Sequence, residues 1–325
     1  FTLNIFASPY LITEIQKKKI KAAATSEIGL TTAGKFIQMK KKILVTGANG
    51  QLGLTFKELF EKNSKTCEFT FMSKANLDIS NTDDLKRVFE SDKYDYCINC
   101  AAYTNVDQAE IEQEKAFNIN AEAVKGLAEN CKKDNTTLIH ISTDYVFDGE
   151  QEHPYKESEN TNPINIYGES KLRGERYIQE IKNNYYVIRA SWLYSKYNKN
   201  FVKTIVNKLQ ENMNLQIITT QTGTPTSCID LSNFIYFLIN NNVDYGVYHF
   251  SALGQANWYE FAKHIASSFN HDLISKIKPV TNFVALAKRP KYSVLNNTKT
   301  QQIPYRQNHW KTSVNRILKD LVNKD

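Results

Sequence analysis

Residues 42–60 read KILVTGANGQLGLTFKELF, a short apolar run followed by three glycines and a helical pattern. The apolar run, 42–46, has the length and composition of a buried strand in a parallel sheet, and a helix is predicted from Leu54 to Phe60. Glycines at a strand-to-helix turn let the backbone approach a pyrophosphate, whose charge is favoured at the helix N-terminus. The spacing is G-x-x-G-x-x-G rather than the commoner G-x-G-x-x-G, but its place between strand and helix predicts a dinucleotide-binding turn.

Further apolar runs alternate with helical patterns as far as residue 190. This alternation predicts an α/β fold, a doubly wound, Rossmann-like parallel sheet. The later strands are predicted at 68–72, within 94–102, at 137–143 and at 186–190, with helices near Thr82, from about 107 to 133, and around 167.

After residue 190 the pattern is less regular, which favours a smaller, interleaved substrate-binding domain. We predict a loop at 221–226, a short strand at 246–250, and helices at 258–269 and 310–322. The domains expected are therefore 39–190 for the dinucleotide, with a returning segment near 225–250, and 191–325 mainly for the substrate. Residues 1–38 are expected to be an extension outside the fold, because the strand pattern starts just after Met39.

The net charge of +7 is concentrated at one end of the chain. Residues 1–42 hold eight lysines against two glutamates, so they carry six of the seven positive charges. The remainder is nearly neutral, which argues against a nucleic-acid partner.

Five cysteines occur at irregular spacing, and Cys97 and Cys100 form a C-x-x-C without a second pair at zinc spacing. The pair lies in a buried-strand pattern, which favours reduced thiols over a metal or redox site. Reduced thiols in turn favour a cytoplasmic location. No run of residues has the length of a membrane span, so no membrane partner is expected.

Tyr167 and Lys171 are four residues apart and so lie one turn apart on one face of a helix. An ammonium at that distance can lower the pKa of a phenol, which can then exchange a proton with a sugar or carbonyl oxygen. By itself the pattern fits equally a surface helix with a solvated lysine.

The second predicted strand ends at Ser73 and Lys74, where many NAD-binding proteins place an acid for the ribose 2′-hydroxyl. A lysine there attracts a 2′-phosphate, so NADPH is the expected cofactor, with NADH still usable. Asp78 follows, either as a cofactor contact or as a cap for the helix near Thr82.

Thr143 and Asp144 follow the strand at 137–143, at the edge of the sheet where open α/β folds bind ligands. Asp144 could instead cap a turn. Lys288 and Arg289 form a basic loop suited to a diphosphate, or a solvated charge pair.

Taken together, these stretches resemble the dTDP-4-dehydrorhamnose reductase family of the extended short-chain dehydrogenase/reductase superfamily. The resemblance runs from about residue 39 to the end. Tyr-x-x-x-Lys marks the superfamily, whereas STDYVF followed by YGE-K-GE is specific to the family. The matching stretches are GANGQLG (47–53), LDIS (77–80), NCAAYTNVDQAE (99–110), STDYVFDG (142–149), YGESKLRGE (167–175), RASW (189–192), TGTPT (222–226) and RPKYSVLN (289–296).

The resemblance implies reduction of a 4-keto nucleotide sugar, dTDP-4-dehydro-L-rhamnose, with Tyr167 as acid, Lys171 on the nicotinamide ribose and Thr143 near the carbonyl. It implies that the substrate is held by Asp144 and Trp192, with Arg289 from the basic loop. Cofactor contacts are expected from three sources: the glycine turn, the end of the second predicted strand, and the resemblance itself. Together these residues are Gly47, Gly50, Gln51, Leu52, Gly53, Lys74, Asp78, Ile79, Ala102, Tyr103 and Thr104.

Some relatives form dimers that bind Mg²⁺ through glutamates, so a homodimer is compatible with the resemblance. The matching position here is Thr55, and no metal is expected. Two alternatives stay open: a reductase or epimerase for another nucleotide sugar, and a non-catalytic regulatory homologue that binds the cofactor. The intact Thr143, Tyr167 and Lys171 argue against the second.

Overall fold

The computed structural model describes residues 28–30, 36–181, 184–269, 271–282 and 284–322. The strands are β1 Ile28–Leu30, β2 Phe36–Gln38, β3 Lys41–Thr46, β4 Cys67–Met72, β5 Tyr96–Asn99, β6 Thr137–Thr143, β7 Tyr185–Ala190, β8 Leu193–Tyr194, β9 Leu215–Ile218, β10 Thr222–Gly223, β11 Thr226–Ser227, β12 Gly246–His249, β13 Ala256–Asn257 and β14 Ile277–Val280.

The α-helices are α1 Gln51–Phe60, α2 Thr82–Ser91, α3 Val106–Ile111, α4 Gln113–Phe117, α5 Ala123–Lys133, α6 Ile166–Ile181, α7 Phe201–Gln210, α8 Cys228–Asn240, α9 Trp258–Phe269, α10 Thr298–Gln301 and α11 Trp310–Val322. A π-helical turn, Asn118–Glu122, joins α4 to α5, and 3₁₀ turns occupy Asp144–Val146 and His271–Lys276.

Six parallel strands form the central sheet in the order β12-β7-β6-β5-β3-β4. The predicted doubly wound α/β fold is therefore confirmed. The β12 strand, which comes late in the chain, pairs with β7 at the edge of the sheet.

Alternating side chains of the sheet enter two different hydrophobic cores, because successive residues of a strand point to opposite faces. In β3, Ile43 and Val45 pack on one face with α1 and α8, whereas Leu44 packs on the other with α2 and α5. Both faces are covered, which is why these strands are apolar throughout rather than alternating with polar residues.

A separate hydrophobic core lies between helices α7, α9 and α11 and strands β9 and β14. Tyr194, Phe261 and Trp310 are its large aromatic members, each at most 3% exposed. The predicted division between a 39–190 domain and a 191–325 domain remains a prediction.

The N-terminal stretch is only partly described. Strands β1 and β2 pair antiparallel with each other, and most of the predicted extension lies outside the described residues. Among the described helices, none is both long and apolar enough to cross a membrane.

Two sequence-based predictions of elements were wrong. The helix predicted from about 107 to 133 is interrupted at Glu112 and again by the π-helical turn, where the Asn120 side chain makes its hydrogen bonds with Tyr103 and Ser170 outside the helix. The predicted loop at 221–226 contains the two-residue strands β10 and β11, which pair with β13 and β8.

Candidate active site

The glycine turn after β3 is shaped by close backbone contacts. Gly47 has a φ of +62°, and a Cβ there would lie 2.6 Å from the Ala101 nitrogen. A Cβ on Gly53 would lie 2.6 Å from the Ala48 Cα. Side chains are therefore excluded at both positions by the fold itself.

Gly50 differs, because a Cβ there would meet only the Gly47 carbonyl oxygen, at 3.2 Å. Gly50 is the N-cap of α1, and having no side chain it cannot cap the first amides of that helix. Uncapped amides at a helix N-terminus attract an anion. The turn thus fits a diphosphate, whereas the Leu52 side chain is buried in the core and only its backbone is available to a ligand there.

Gln51 ties the glycine turn to the segment after β8. Its Oε1 accepts hydrogen bonds from Ser195 Oγ, at 3.1 Å, and Asn200 Nδ2, at 2.9 Å. Asn198 Nδ2 donates to the Asn49 carbonyl at 2.9 Å. Contacts from two parts of the chain therefore fix the mouth of the turn.

The strand predicted at 68–72 is β4, which ends at Met72. The Met72 carbonyl accepts a hydrogen bond from the Ala48 amide in the glycine turn, so Lys74, two residues after Met72, lies beside that turn. Lys74 Nζ is 3.5 Å from Asp78 Oδ2, and its side chain is 75% exposed. Asp78 accepts from Ser80, whose hydroxyl hydrogen bond holds the Asp78 pKa below its ordinary value.

The capping alternative for Asp78 was wrong, because Asn81 caps α2 by accepting from the amides of Asp83 and Asp84. Ile79 is 4% exposed and packs in the core, so its side chain offers little surface to a ligand.

Thr143 and Asp144 follow β6 at the carboxyl edge of the sheet, next to the start of α6. Thr143 Oγ1 donates to Asp144 Oδ1 at 3.1 Å and accepts from the Tyr145 amide. The turn is thus capped by Thr143 and not by Asp144, and the capping alternative for Asp144 was wrong. Asp144 is 2% exposed, and burial raises its pKa to about 7.

Helix α6 lies directly against this strand end. Gly168 allows the contact, since a Cβ there would be 2.1 Å from the Tyr145 carbonyl oxygen. The phenol of Tyr167, the residue just before Gly168, lies within reach of the Thr143 hydroxyl, and its ring packs edge-on against Tyr145 with ring centroids 5.9 Å apart. The fold therefore brings Tyr167, Thr143 and Asp144 together.

Tyr167 does not have the lowered pKa that the sequence suggested. Burial raises the Tyr167 pKa to about 12, and the nearby Thr143 hydroxyl opposes this rise. Lys171 is directed elsewhere: its Nζ donates to the Ile141 carbonyl at 2.6 Å and lies 3.2 Å from His140 Nε2. The Tyr167 phenol therefore keeps its proton near neutral pH, as a general acid requires.

Lys171 is 2% exposed, so the solvated-lysine alternative was wrong. Burial lowers its pKa to about 8, while the nearby Glu175 carboxylate raises it.

The loop after β5 is fixed by Asn120 in the π-helical turn. Asn120 Oδ1 accepts from the Tyr103 amide at 2.8 Å, and its Nδ2 donates to the Tyr103 carbonyl and to Ser170 Oγ, each at 3.0 Å. Tyr103 donates its own hydroxyl to Glu112. One buried side chain thus joins the predicted cofactor loop, Ala102 to Thr104, to the helix that carries Tyr167.

Arg289 is held by Asp107, which the sequence analysis had not singled out. Arg289 Nη2 is 2.6 Å from Asp107 Oδ2, and Nη1 is 3.2 Å from Oδ1. Its side chain is 17% exposed, so the solvated alternative was wrong for Arg289, whereas Lys288 is exposed to solvent. Arg289 also lies close to the hydroxyl of Tyr145, whose ring packs against Tyr167.

Trp192 stacks on Trp258 with ring centroids 3.6 Å apart and planes 6° apart. Its φ is +48°, and Gly223 packs against its ring, with a Cβ position 2.5 Å from Cε2. A bulky residue at positive φ is strained and needs such support. Trp192 is therefore held in place between the end of β7 and the start of β8.

A buried ion pair anchors α6 to the sheet. Arg189 Nη2 is 2.7 Å from Glu175 Oε2, and both side chains are at most 5% exposed. Ser142 also donates to Glu175, and His249 lies 3.3 Å from Arg189 Nη1. Removing one member of such a pair leaves an uncompensated buried charge and costs about 3–5 kcal/mol.

The sequence analysis missed the supporting residues Asn120, Asp107, Glu175, Arg189 and His140. Two signals were present: a polar side chain inside an apolar strand, as at His140, and asparagines within a helical pattern, as at Asn120. Such groups need hydrogen-bond partners when buried, but the sequence does not name the partner.

The family model described as "RmlD substrate binding domain" matches residues 40–323. The dTDP-4-dehydrorhamnose reductase of Aggregatibacter actinomycetemcomitans is 35% identical over 272 residues, covering 80% of this chain and 92% of that protein. The spore coat polysaccharide biosynthesis protein SpsK of Bacillus subtilis is 32% identical, covering 86% and 97%.

A solved structure has the same architecture. The dTDP-4-dehydrorhamnose reductase of Bacillus anthracis, a complex with NADP, superimposes with a TM-score of 0.82 at 38% identity. The superposition covers 87% of this chain and 100% of that one.

Proposed function

This chain belongs to the RmlD substrate binding domain family, and we propose on that premise that it is an NADPH-dependent dTDP-4-dehydrorhamnose reductase. The observation that carries the assignment of roles is the Tyr167–Thr143–Asp144 cluster at the carboxyl edge of β6, supported by the glycine turn after β3, two strands away in the same sheet. The reaction is the reduction of dTDP-4-dehydro-L-rhamnose to dTDP-L-rhamnose, a precursor of polysaccharide.

NADPH, when bound, supplies the hydride that C4 of the sugar receives. Tyr167 gives its proton to O4, so that hydride and proton together convert the ketone into an alcohol. Its raised pKa suits this role, since the phenol stays protonated until charge develops on O4. Thr143 donates a hydrogen bond at the same oxygen and favours the developing negative charge.

Asp144 and Arg289 orient the substrate. The pKa of Asp144, about 7, leaves part of its population protonated near neutral pH, so that it can donate as well as accept a hydrogen bond with a sugar hydroxyl. Arg289, beside Tyr145, offers a guanidinium to the nucleotide diphosphate, and Trp192 forms a rigid apolar wall.

The cofactor contacts follow from the glycine turn and the loops around it. The amides at the start of α1 meet the diphosphate, and Lys74 and Asp78 lie where the adenosine end would be held. In this proposal Ala102, Tyr103 and Thr104 contact the middle of the cofactor, and Lys171 contacts its nicotinamide ribose. A homodimer and a cytoplasmic location stay predictions, the latter supported by five free thiols.

The test compares Tyr167→Phe with wild type in NADPH oxidation with dTDP-4-dehydro-L-rhamnose. Loss of the proton donor should lower kcat by roughly 10²–10⁴-fold while the Kd for NADPH changes little. Tyr177→Phe is a matched control, because this half-buried tyrosine lies on the same helix with its hydroxyl on Glu122 and Arg173.

The alternatives have distinct outcomes. A kcat within a few-fold of wild type in Tyr167→Phe would show that another group is the acid. Conversion of a nucleotide sugar without net NADPH oxidation would indicate an epimerase. NADPH binding without turnover of any 4-keto sugar would indicate a regulatory homologue.

A further inference from the structure

A buried chain of four polar side chains runs from the end of β3 to Lys171. Thr46 Oγ1 donates to Asn99 Oδ1 at 2.7 Å, Asn99 Nδ2 lies 3.0 Å from His140 Nδ1, and His140 Nε2 lies 3.2 Å from Lys171 Nζ. All four residues are at most 2% exposed. The roles assigned above use Lys171 alone and leave the other three unexplained.

The backbone fixes the direction of this chain. The Ala101 N–H, which can only donate, points to Asn99 Oδ1 at 3.2 Å. The Asn99 Nδ2 group is therefore the donor toward His140 Nδ1, and Nδ1 is an acceptor. A neutral imidazole with an acceptor at Nδ1 carries its hydrogen on Nε2.

That hydrogen on Nε2 points at Lys171. An ammonium has three donors and no acceptor, so it would face the imidazole N–H donor to donor. A neutral amine has a lone pair, can accept from Nε2, and can still donate to the Ile141 carbonyl at 2.6 Å. The hydrogen bonds are thus all satisfied only when Lys171 is an amine.

The other ionisable groups near Lys171 do not reverse this preference. Glu175, on the same helix, is already paired with Arg189 of β7 and accepts from Ser142. Cys100, after β5, stays a neutral thiol, because burial raises its pKa to about 12.

We propose that His140 is a positioning residue that keeps Lys171 an amine, and that Lys171 gains a proton only when the His140 tautomer switches from Nε2–H to Nδ1–H. The switch requires Asn99 to turn its amide and release Ala101. Ala101 contacts Gly47 and precedes the loop 102–104, so the charge on Lys171 is coupled to the shape of the cofactor cleft. Its importance for turnover rests on the proposed function.

The test uses the cofactor-free wild-type protein. Nitrogen-15 NMR of the His140 ring reports the tautomer, and carbon-13 NMR of the Lys171 ε-carbon reports its protonation, across a pH titration. At pH values above the midpoint of the Lys171 titration, where the amine is neutral, we expect the Nε2–H tautomer of His140. As the pH falls through that midpoint, we expect His140 to change to the Nδ1–H tautomer. Burial holds the His140 pKa well below its ordinary value, so the ring stays neutral throughout. An unchanging tautomer, or Nδ1–H at every pH, overturns the proposal.

A double-mutant cycle separates this coupling from simple charge. In Asn99→Asp the carboxylate accepts from Nδ1–H, which makes Nε2 an acceptor, and the Lys171 midpoint should rise by at least about one pH unit, or tenfold in proton affinity. Against the His140→Phe background the same change should raise it far less. An equal rise in both backgrounds would mean that the new charge acts through space, and overturns the proposal.

Neither measurement depends on turnover. If Tyr167→Phe kept its activity, the proposed function would fail while the tautomer result stood. If the tautomer did not switch, the proposed reduction would be unaffected.

Discussion

Lys171 and Tyr167 lie one helical turn apart, but different neighbours hold them. The phenol lies against Thr143, whereas Lys171 Nζ lies against the Ile141 carbonyl and His140. The distance along a helix therefore gives the face on which both residues lie and not the contacts that set their pKa values. For Tyr167 the burial of the ring outweighs any effect of the nearby amine.

The single residue Lys74 leads to the prediction that the enzyme prefers NADPH over NADH. Lys74→Ala should lower kcat/KM for NADPH by roughly 3–10-fold and leave NADH nearly unchanged, because only NADPH has the 2′-phosphate. The expected effect is modest, since an exposed lysine is screened by solvent and salt, and it should shrink further as ionic strength rises.

Lys93→Ala is the control, because this equally exposed lysine pairs with Asp134 at the opposite end of the sheet. The same loss for both cofactors in Lys74→Ala, or a similar loss in Lys93→Ala, would contradict a contact with the 2′-phosphate.

At the scale of elements, the site depends on how closely α6 approaches the end of β6. Two glycines of α6 permit close contacts: Gly168 with the Tyr145 carbonyl, and Gly174 with the Asn120 carbonyl of the π-helical turn, 2.2 Å from a Cβ position. A π-helical turn is rare and often occurs at functional sites. Here it turns Asn120 toward both the 102–104 loop and Ser170.

Gly168→Ala should therefore disturb the site although it adds one methyl group. With a backbone oxygen 2.1 Å from the new Cβ, the helix must move away from the strand end. We expect a loss of about 1–3 kcal/mol in the free energy of unfolding and a fall in kcat of about 10-fold or more, because Tyr167 moves with the helix.

Gly126→Ala makes the same chemical change in α5, where the nearest atom is the flexible Leu85 Cδ1 at 3.4 Å. It should keep full activity and leave stability unchanged or raised by up to about 1 kcal/mol. Chemical denaturation and steady-state kinetics measure both variants, and wild-type behaviour of Gly168→Ala would refute the close contact.

At the scale of the whole molecule, the residues proposed for the site come from two parts of the fold. The sheet supplies the glycine turn and the strand ends, Trp192 packs against the separate core of α7, α9 and α11, and Arg289 comes from a later segment of the chain. The ion pair between Arg289 and Asp107 and the hydrogen bonds of Gln51 join these two parts. The arrangement of both parts therefore decides whether the site is complete.

Deleting residues 1–38 should leave both activity and the melting temperature nearly unchanged, within roughly 2 °C. The central sheet begins with β3 at Lys41, and the family match begins at residue 40. Scanning calorimetry and the NADPH oxidation assay test this expectation. A large fall in melting temperature would show that the extension packs on the fold.

The order of elements and the turn that begins the site follow from the sequence alone. Apolar runs of strand length that alternate with helices are typical of a buried parallel sheet. A glycine turn between a strand and a helix can adopt only a few backbone conformations. For the same reason the positions of Tyr167 and Lys171 on one helix, and of Thr143 at a strand end, could be predicted from spacing.

Partners far apart in the chain were decided only by the tertiary structure. Arg289 and Asp107 are 182 residues apart, and Lys171 and His140 are 31 apart, so neither pair leaves a periodic pattern. The pKa of Tyr167 and the protonation state of Lys171 depend on burial and on hydrogen bonds made across elements. Sequence spacing reports local geometry, whereas desolvation and donor–acceptor matching exist only once the chain has packed.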